Sequence, residues 1–327
     1  MKYSFFGTCA NDYEQFFGCL KTMIDQTKAP NQIILVNAGK KNIKNQILSK
    51  LKNSDIKLIY IQKKLNRVKS LNLAIDFSIS EYSFRFDTRT RFSKNYAENS
   101  LLILNDQSSV AEVVGGVPEI ISEENNFESI ICSQIMNRPY IFFYPKHRNI
   151  KYSGYASSIY LGCFRTKSLK DIRFNEKKAL ISEDSLIISD FLKRGFKAYL
   201  SSKIRVSYIS RASFRNVLKL FNTYGFCRAN TILVSRNFFI SSRHFLVFIG
   251  FISLLVSTLR ISFFLIFVLP FLLLGINLLG EIIFIGRKAK YLLPFYATLC
   301  QFSWILGIVW GFLSIFRSIK KQSNFIS

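Results

Sequence analysis

Up to about residue 242 the chain alternates short apolar runs with segments whose apolar residues recur every three or four positions, as in strands interleaved with amphipathic helices. Residues 2–8, 32–36, 56–61 and 83–86 are rich in Ile, Val, Tyr and Phe and predict strands. Between them, Phe16, Leu20, Met23 and Ile24 form one helical stripe. Ile43, Ile47, Leu48 and Leu51 form a second, and Val68, Leu71, Ala74 and Ile75 a third. The resulting βαβαβαβ order predicts an α/β domain with a mainly parallel sheet covered on both faces. Ligands of such sheets bind beyond the carboxyl ends of the strands, which singles out the polar stretches 8–12, 37–39 and 87–91.

The pattern changes after Arg243-His244. Residues 245–285 are almost continuously apolar, interrupted by Arg260, Pro270, Asn277 and Glu281. One membrane span needs about 20 such residues, so this stretch predicts a two-span hairpin with Arg260 near its turn. Arg236 and Arg243 before it and Arg287-Lys288-Ala289-Lys290 after it then share the cytoplasmic side. A further apolar segment, 291–316, contains Pro294, Trp304 and Trp310 and precedes Arg317, Lys320 and Lys321. Crossing once, it would carry that basic cluster to the far side, so the expectation is two or three spans. The division expected from composition is 1–242 and 243–327, with an interfacial helix near 211–235, where Phe214, Val217, Leu218 and Phe221 lie opposite Arg215, Lys219 and Asn222. Tyr224-Gly225-Phe226-Cys227-Arg228 reads as a turn after it. No apolar run of signal-peptide length opens the sequence, so the first part is expected to remain cytosolic.

Composition narrows the chemistry. Lys and Arg total 45 against 20 Asp and Glu, a net charge of +25, and this favours anionic partners: phosphates, acidic lipid or nucleic acid. Six cysteines with no CxxC pair predict neither a zinc site nor a disulfide framework. With His147 and His244 the only histidines, acid–base chemistry falls to carboxylates. Neither GxGxxG nor a P-loop follows a strand.

Asp87, in Phe84-Arg85-Phe86-Asp87-Thr88-Arg89-Thr90-Arg91, follows an apolar strand, where a divalent ion on a diphosphate could be held; the three arginines around it suit the same anion. The same residue is equally suited to capping a turn. Glu183 and Asp184 open a helical stripe with Ser182 as its cap. The helix dipole by itself accounts for acids there, and the functional alternative makes one of them a general base.

Taken in order, several stretches resemble membrane-associated family-2 glycosyltransferases, particularly bacterial exopolysaccharide enzymes of the succinoglycan-synthesis type. They are Asn11-Asp12, Asp25-Gln26-Thr27, the run from Arg67 to Asn72, Val113-Val114-Gly115-Gly116 and Tyr160-Leu161-Gly162-Cys163-Phe164-Arg165. Glu183-Asp184 and Tyr224-Gly225-x-x-Arg228 follow, ahead of the apolar spans. The resemblance covers essentially the whole chain and implies a GT-A-like (Rossmann-like) domain followed by C-terminal transmembrane helices. It implies inverting transfer from a nucleotide-diphosphate sugar, with Mg2+ or Mn2+ at Asp87 and Asp184 as the catalytic base. Asn11, Asp12, Asn37, Arg67, Asn72, Arg89, Glu183 and Arg228 become substrate-binding residues. The implied acceptor is a polyprenyl-diphosphate-linked glycan at the cytoplasmic face of the inner membrane; membrane lipid is a partner and nucleic acid is not. Two alternatives stand beside it: a polyprenyl-phosphate monosaccharide synthase, and a catalytically degenerate basic binding protein anchored in the membrane. The chain departs from the family pattern at Asn37, where an Asp is usual, at Arg89, the last position of the usual DxD, and at Leu220, where Gln is common before Tyr-Gly.

Overall fold

The computed structural model describes residues 1–106, 111–142, 145–176, 183–235, 263–285 and 292–323. In chain order the elements are β1 (Tyr3–Cys9), α1 (Tyr13–Ile24), β2 (Gln32–Asn37), α2 (Lys44–Leu51), β3 (Lys57–Gln62), α3 (Arg67–Asp76), β4 (Tyr82–Phe86), β5 (Thr90–Phe92), α4 (Tyr96–Asn105), β6 (Ala111–Gly115) and β7 (Pro118–Ile121). Then come α5 (Phe127–Asn137), β8 (Gly154–Tyr155), β9 (Cys163–Arg165), α6 (Thr166–Ile172), α7 (Glu183–Lys193), β10 (Lys197–Leu200), β11 (Val206–Ile209), α8 (Phe214–Ser235), α9 (Phe263–Ile285) and α10 (Leu292–Ser323). Two compact units result, one of residues 1–121 and 146–209, the other of 122–145 and 210–327.

The first unit is a mixed α/β structure. Its main sheet has the order β3-β2-β1-β4-β9-β6-β10-β8. β1, β2, β3 and β4 pair in parallel, as do β6 and β10, while β9 runs antiparallel between β4 and β6. β1 and β2 are buried nearly throughout because helices cover both faces, which is why they read as continuous apolar runs. Phe5, Phe84 and Tyr3 pack with Phe16 and Leu20 of α1 on one face. Phe6, Ile34, Val68, Leu71, Phe164 and Phe191 fill the other. The strands and helices expected over the first 86 residues are all present, except that Leu48 of the α2 stripe is 44% exposed while Ile43, Ile47 and Leu51 are buried. At α3 the Asn66 side chain accepts from the Lys69 amide at 2.8 Å, fixing where that helix starts. A small sheet, β5-β11-β7, stands beside the main one.

In the second unit α8 and α10 cross at van der Waals contact of their backbones. A Cβ on Gly225 would lie 2.0 Å from the Trp304 carbonyl oxygen, and one on Gly307 2.0 Å from that of Asn222. The stretch 224–228 is therefore continuous helix, where the sequence predicts a turn, because the glycine serves helix packing. Val217 and Phe221 of the α8 apolar face are buried, Phe221 stacking on Phe142 at 5.5 Å, while Arg215 and Lys219 are exposed. That face, expected at a membrane surface, is thus already covered by protein. Because the clash at Gly307 is with backbone, Gly307→Ala is expected to cost about 1–3 kcal/mol, read as a lower melting temperature of the detergent-solubilised chain.

The segment Leu292–Ser314 of α10, 23 residues, is long and apolar enough to cross a membrane, and Pro270–Ile283 of α9 is a shorter apolar stretch. Residues 245–262 of the expected hairpin lie outside the described residues. Within the apolar helices, Glu281 is 1% exposed and is held by Arg138 (2.8 and 3.1 Å) and Tyr140 Oη (2.7 Å). Asn277 bonds Thr298 and Gln301 at 3.0 and 2.9 Å. The hydropathy boundary near 242 therefore differs from the packing boundary: 122–145 and 210–235 group with the apolar helices through these contacts.

Candidate active site

Beyond the carboxyl ends of β1 and β4 the first unit assembles a network of three carboxylates and two guanidinium groups. β4 ends at Phe86, so Asp87 emerges at the sheet edge. Its Oδ1 accepts from the Arg89 amide at 3.1 Å and its Oδ2 from Arg67 Nη2 at 2.7 Å. Arg67, in the first turn of α3, also donates through Nε to Glu183 Oε1 at 2.5 Å. Glu183 and Asp184 are the first two residues described in α7, 98 residues or more from their partner Arg85, which donates to Glu183 at 2.7 Å and to Asp184. Arg85 is fully buried and lies over the Phe174 ring at 5.3 Å. It had read as one of three arginines gathered for a diphosphate; strand alternation instead turns it away from Phe84 and Phe86 and into the acids. Among those three, Arg91 is spent on Gln15, Thr88 and Thr90, where it secures the start of α1.

The three carboxylates differ in accessibility. Asp184 keeps 32% of its side chain exposed, against 18% for Asp87 and 8% for Glu183. They differ in proton affinity as well. Burial pushes the Glu183 carboxyl up, but the guanidinium groups of Arg85 and Arg67 more than offset this and hold it at about 2. At Asp87 burial is likewise outweighed, chiefly by Arg67, and its pKa is lowered. Asp184 moves the other way: burial and the neighbouring Glu183 charge raise it, with Arg85 opposing. Two adjacent carboxylates are thus driven apart, leaving the more exposed one with the greater affinity for a proton.

Other expected residues fall in different places. Asp12, at the start of α1, accepts from Thr88 Oγ1 at 2.6 Å and so joins the β1 and β4 ends, and Asn11 is exposed beside it. Gly39 belongs to the same rim, where a Cβ would lie 1.4 Å from the Ala10 carbonyl oxygen. Asn37 is buried, and its amide is used internally by Lys41 O, Tyr60 Oη, Gln62 and the Gly39 amide. Asn72 likewise bonds Phe174 and Glu176, tying α3 to the segment before α7. Both are expected at substrate, and in the fold each satisfies its amide locally, as an Asn at a strand end or on a buried helix face must. Arg228 lies on α8 in the second unit. Tyr160, whose Oη meets Thr90 Oγ1 at 2.9 Å, precedes a turn in which Leu161 and Gly162 both have positive φ, 61° and 92°. The signal for that turn is the Tyr-Leu-Gly stretch itself.

A divalent ion does not suit this arrangement. Arg67 and the Arg89 amide engage both oxygens of Asp87, an arginine follows two residues on, and among the described residues no three His, Cys, Asp or Glu side chains converge on one point.

No protein-family model matches the chain. It is 25% identical to a dolichyl N-acetyl-α-D-glucosaminyl phosphate 3-β-D-2,3-diacetamido-2,3-dideoxy-β-D-glucuronosyltransferase of Methanococcus voltae, over 70% of this chain and 73% of that protein. Its structure is similar to that of a mannosyltransferase from Pyrobaculum calidifontis in complex with GDP-Man and Mn2+, with a TM-score of 0.57 and 10% identity over 94% of this chain and 87% of that one. Residues 1–349 of S. aureus TarS in complex with UDP-GlcNAc align with a TM-score of 0.48 and 14% identity over 92% and 91% of the two chains. The chain is thus homologous to an enzyme named as a glycosyltransferase, and its parallel-rich sheet resembles glycosyltransferase folds.

Proposed function

We propose that this protein is a membrane-associated, inverting glycosyltransferase that moves a sugar from a nucleotide-diphosphate donor to a lipid-linked glycan in surface polysaccharide synthesis, working at the cytoplasmic face of the inner membrane. The observation that carries the reading is the split carboxylate pair, in which Asp184 is partly exposed and proton-seeking while Glu183 stays ionised and clamped. Asp184 takes the proton of the acceptor hydroxyl. The acceptor oxygen then forms its bond to the anomeric carbon as the bond to the diphosphate breaks, and the nucleoside diphosphate leaves with the electron pair. A single base and a single displacement produce inversion. Asn11 and Asp12 at the β1 rim face the nucleotide; Arg67 and Arg89 serve the diphosphate. The apolar helix Leu292–Ser314 supports association with a membrane, where a lipid-borne acceptor resides. An acceptor that already carries a sugar is favoured over bare polyprenyl phosphate, because the Methanococcus relative is named for a glycosylated dolichyl phosphate.

The test is release of nucleoside diphosphate from a panel of sugar nucleotides by the lipid-reconstituted full chain, with and without lipid-linked acceptor, across pH. Because the base acts as an anion, the rate is expected to fall as pH drops through its raised pKa, about tenfold per unit below it. The limb should lie above the ordinary aspartate value of 3.8. Absence of release from every donor at every pH would overturn the assignment.

A further inference from the structure

A guanidinium presents five N–H donors in a planar fork. Arg67 commits Nε to Glu183 and one hydrogen of Nη2 to Asp87, which leaves both Nη1 hydrogens and the other on Nη2 for something else. The side chain is 48% exposed, although the two carboxylates it bridges are only 8% and 18% exposed. Its outer edge is therefore open while its inner edge is clamped at 2.5 and 2.7 Å. Arg67 bridges one carboxylate at a strand end and another at a helix start, and among the described residues no three His, Cys, Asp or Glu side chains converge on one point. Clamping also removes most of the rotamer freedom a free arginine would lose on binding an anion.

We infer that Arg67 is the diphosphate-binding cation of this site, taking through its outer N–H groups the part a divalent metal plays elsewhere, so that donor binding is independent of metal. The inference rests on the nucleotide-sugar reading above and specifies how that site holds its donor. Arg85 cannot share the task, being fully buried against Glu183 and Asp184.

The experiment is isothermal titration of the full chain in detergent with UDP, GDP and inorganic pyrophosphate, each in EDTA and in Mn2+, for the wild type, Arg67→Gln and Arg67→Lys. Wild-type affinity for a nucleotide should agree within about twofold with and without Mn2+. Arg67→Gln should weaken it by about tenfold or more in both media, and Arg67→Lys, which keeps the charge without the fork, by less. Affinity that requires Mn2+, or Arg67→Gln binding in EDTA as the wild type does, would overturn the inference. The wild-type comparison needs no variant, so it decides even if Arg67→Gln fails to fold. Pyrophosphate bound through Arg67 with neither nucleotide bound would keep Arg67 as a diphosphate site and defeat the nucleotide-sugar reading. No binding of any of the three in EDTA, together with sugar transfer in Mn2+, would defeat the inference and leave the transferase reading standing.

Discussion

Asp184→Asn is expected to lower sugar transfer about 10³-fold while leaving nucleotide affinity within about twofold of the wild type. The amide is nearly isosteric with the carboxylate and its oxygen can still accept from Arg85 Nη1, so the network keeps its geometry. What disappears is the basic atom that takes the acceptor proton in the proposed mechanism. Steady-state kinetics should show the loss in kcat more than in KM, and the acid limb of the pH profile should vanish with it. A basic membrane-anchored binding protein without catalytic function would show neither change. Glu183→Gln should behave differently, because Glu183 is held at 2.5 and 2.7 Å by two arginines and is 8% exposed; its loss should appear in stability and in positioning of α7.

Arg85→Met carries the other large effect. A buried arginine facing two acids is costly to desolvate, yet removing it alone is worse, since Glu183 and Asp184 would remain as adjacent, partly buried anions. Breaking such a pair typically costs about 3–5 kcal/mol. Urea unfolding followed by far-UV circular dichroism at neutral pH should show a loss of this order. The pH dependence has a definite sign. In the wild type Glu183 is held at about 2, below its ordinary 4.5, so its contribution is present above 4.5 and is lost as pH falls towards 2. Without Arg85, burial acts on the carboxyl with less opposition and raises it. The gap between wild type and variant should therefore be widest at neutral pH and narrow as both proteins protonate in acid. A gap that stays constant from neutral pH down to about 2 would show that packing against Phe174, not charge, is what Arg85 contributes.

Much of the site was legible because its residues sit where local pattern meets a known sheet rule. Asp12 and Asp87 follow apolar strands, and Glu183-Asp184 open an amphipathic helix; each position is set by a few neighbouring residues. For other residues the local pattern does not separate one role from another. Asn37 and Asn72 have the same residue type whether they meet a ligand or a backbone amide, and only the neighbours supplied by Tyr60, Phe174 and Glu176 settle which. The α8 stripe has one apolar face in either setting, and Phe142 and α10, distant in sequence, are what cover it.

The sequence by itself determined the strand and helix periods, the polar strand ends of the first unit, the shortage of histidine, and the apolar character of the C-terminal part. Those properties depend on side-chain polarity at spacings of two to four residues, which local backbone geometry converts into buried faces. Tertiary structure alone decided that Arg85 is interior and Arg67 is the exposed cation. Both lie in the sequence as ordinary arginines near an acid, and their roles diverge because β4 holds Arg85 in the interior while α3 leaves Arg67 half exposed, although both reach Glu183 Oε1, 98 and 116 residues further along the chain. A charge pair separated that far is specified only when the sheet order and the packing of α7 bring its members together, since the desolvation that raises Asp184 and the attraction that lowers Glu183 exist only in the folded site.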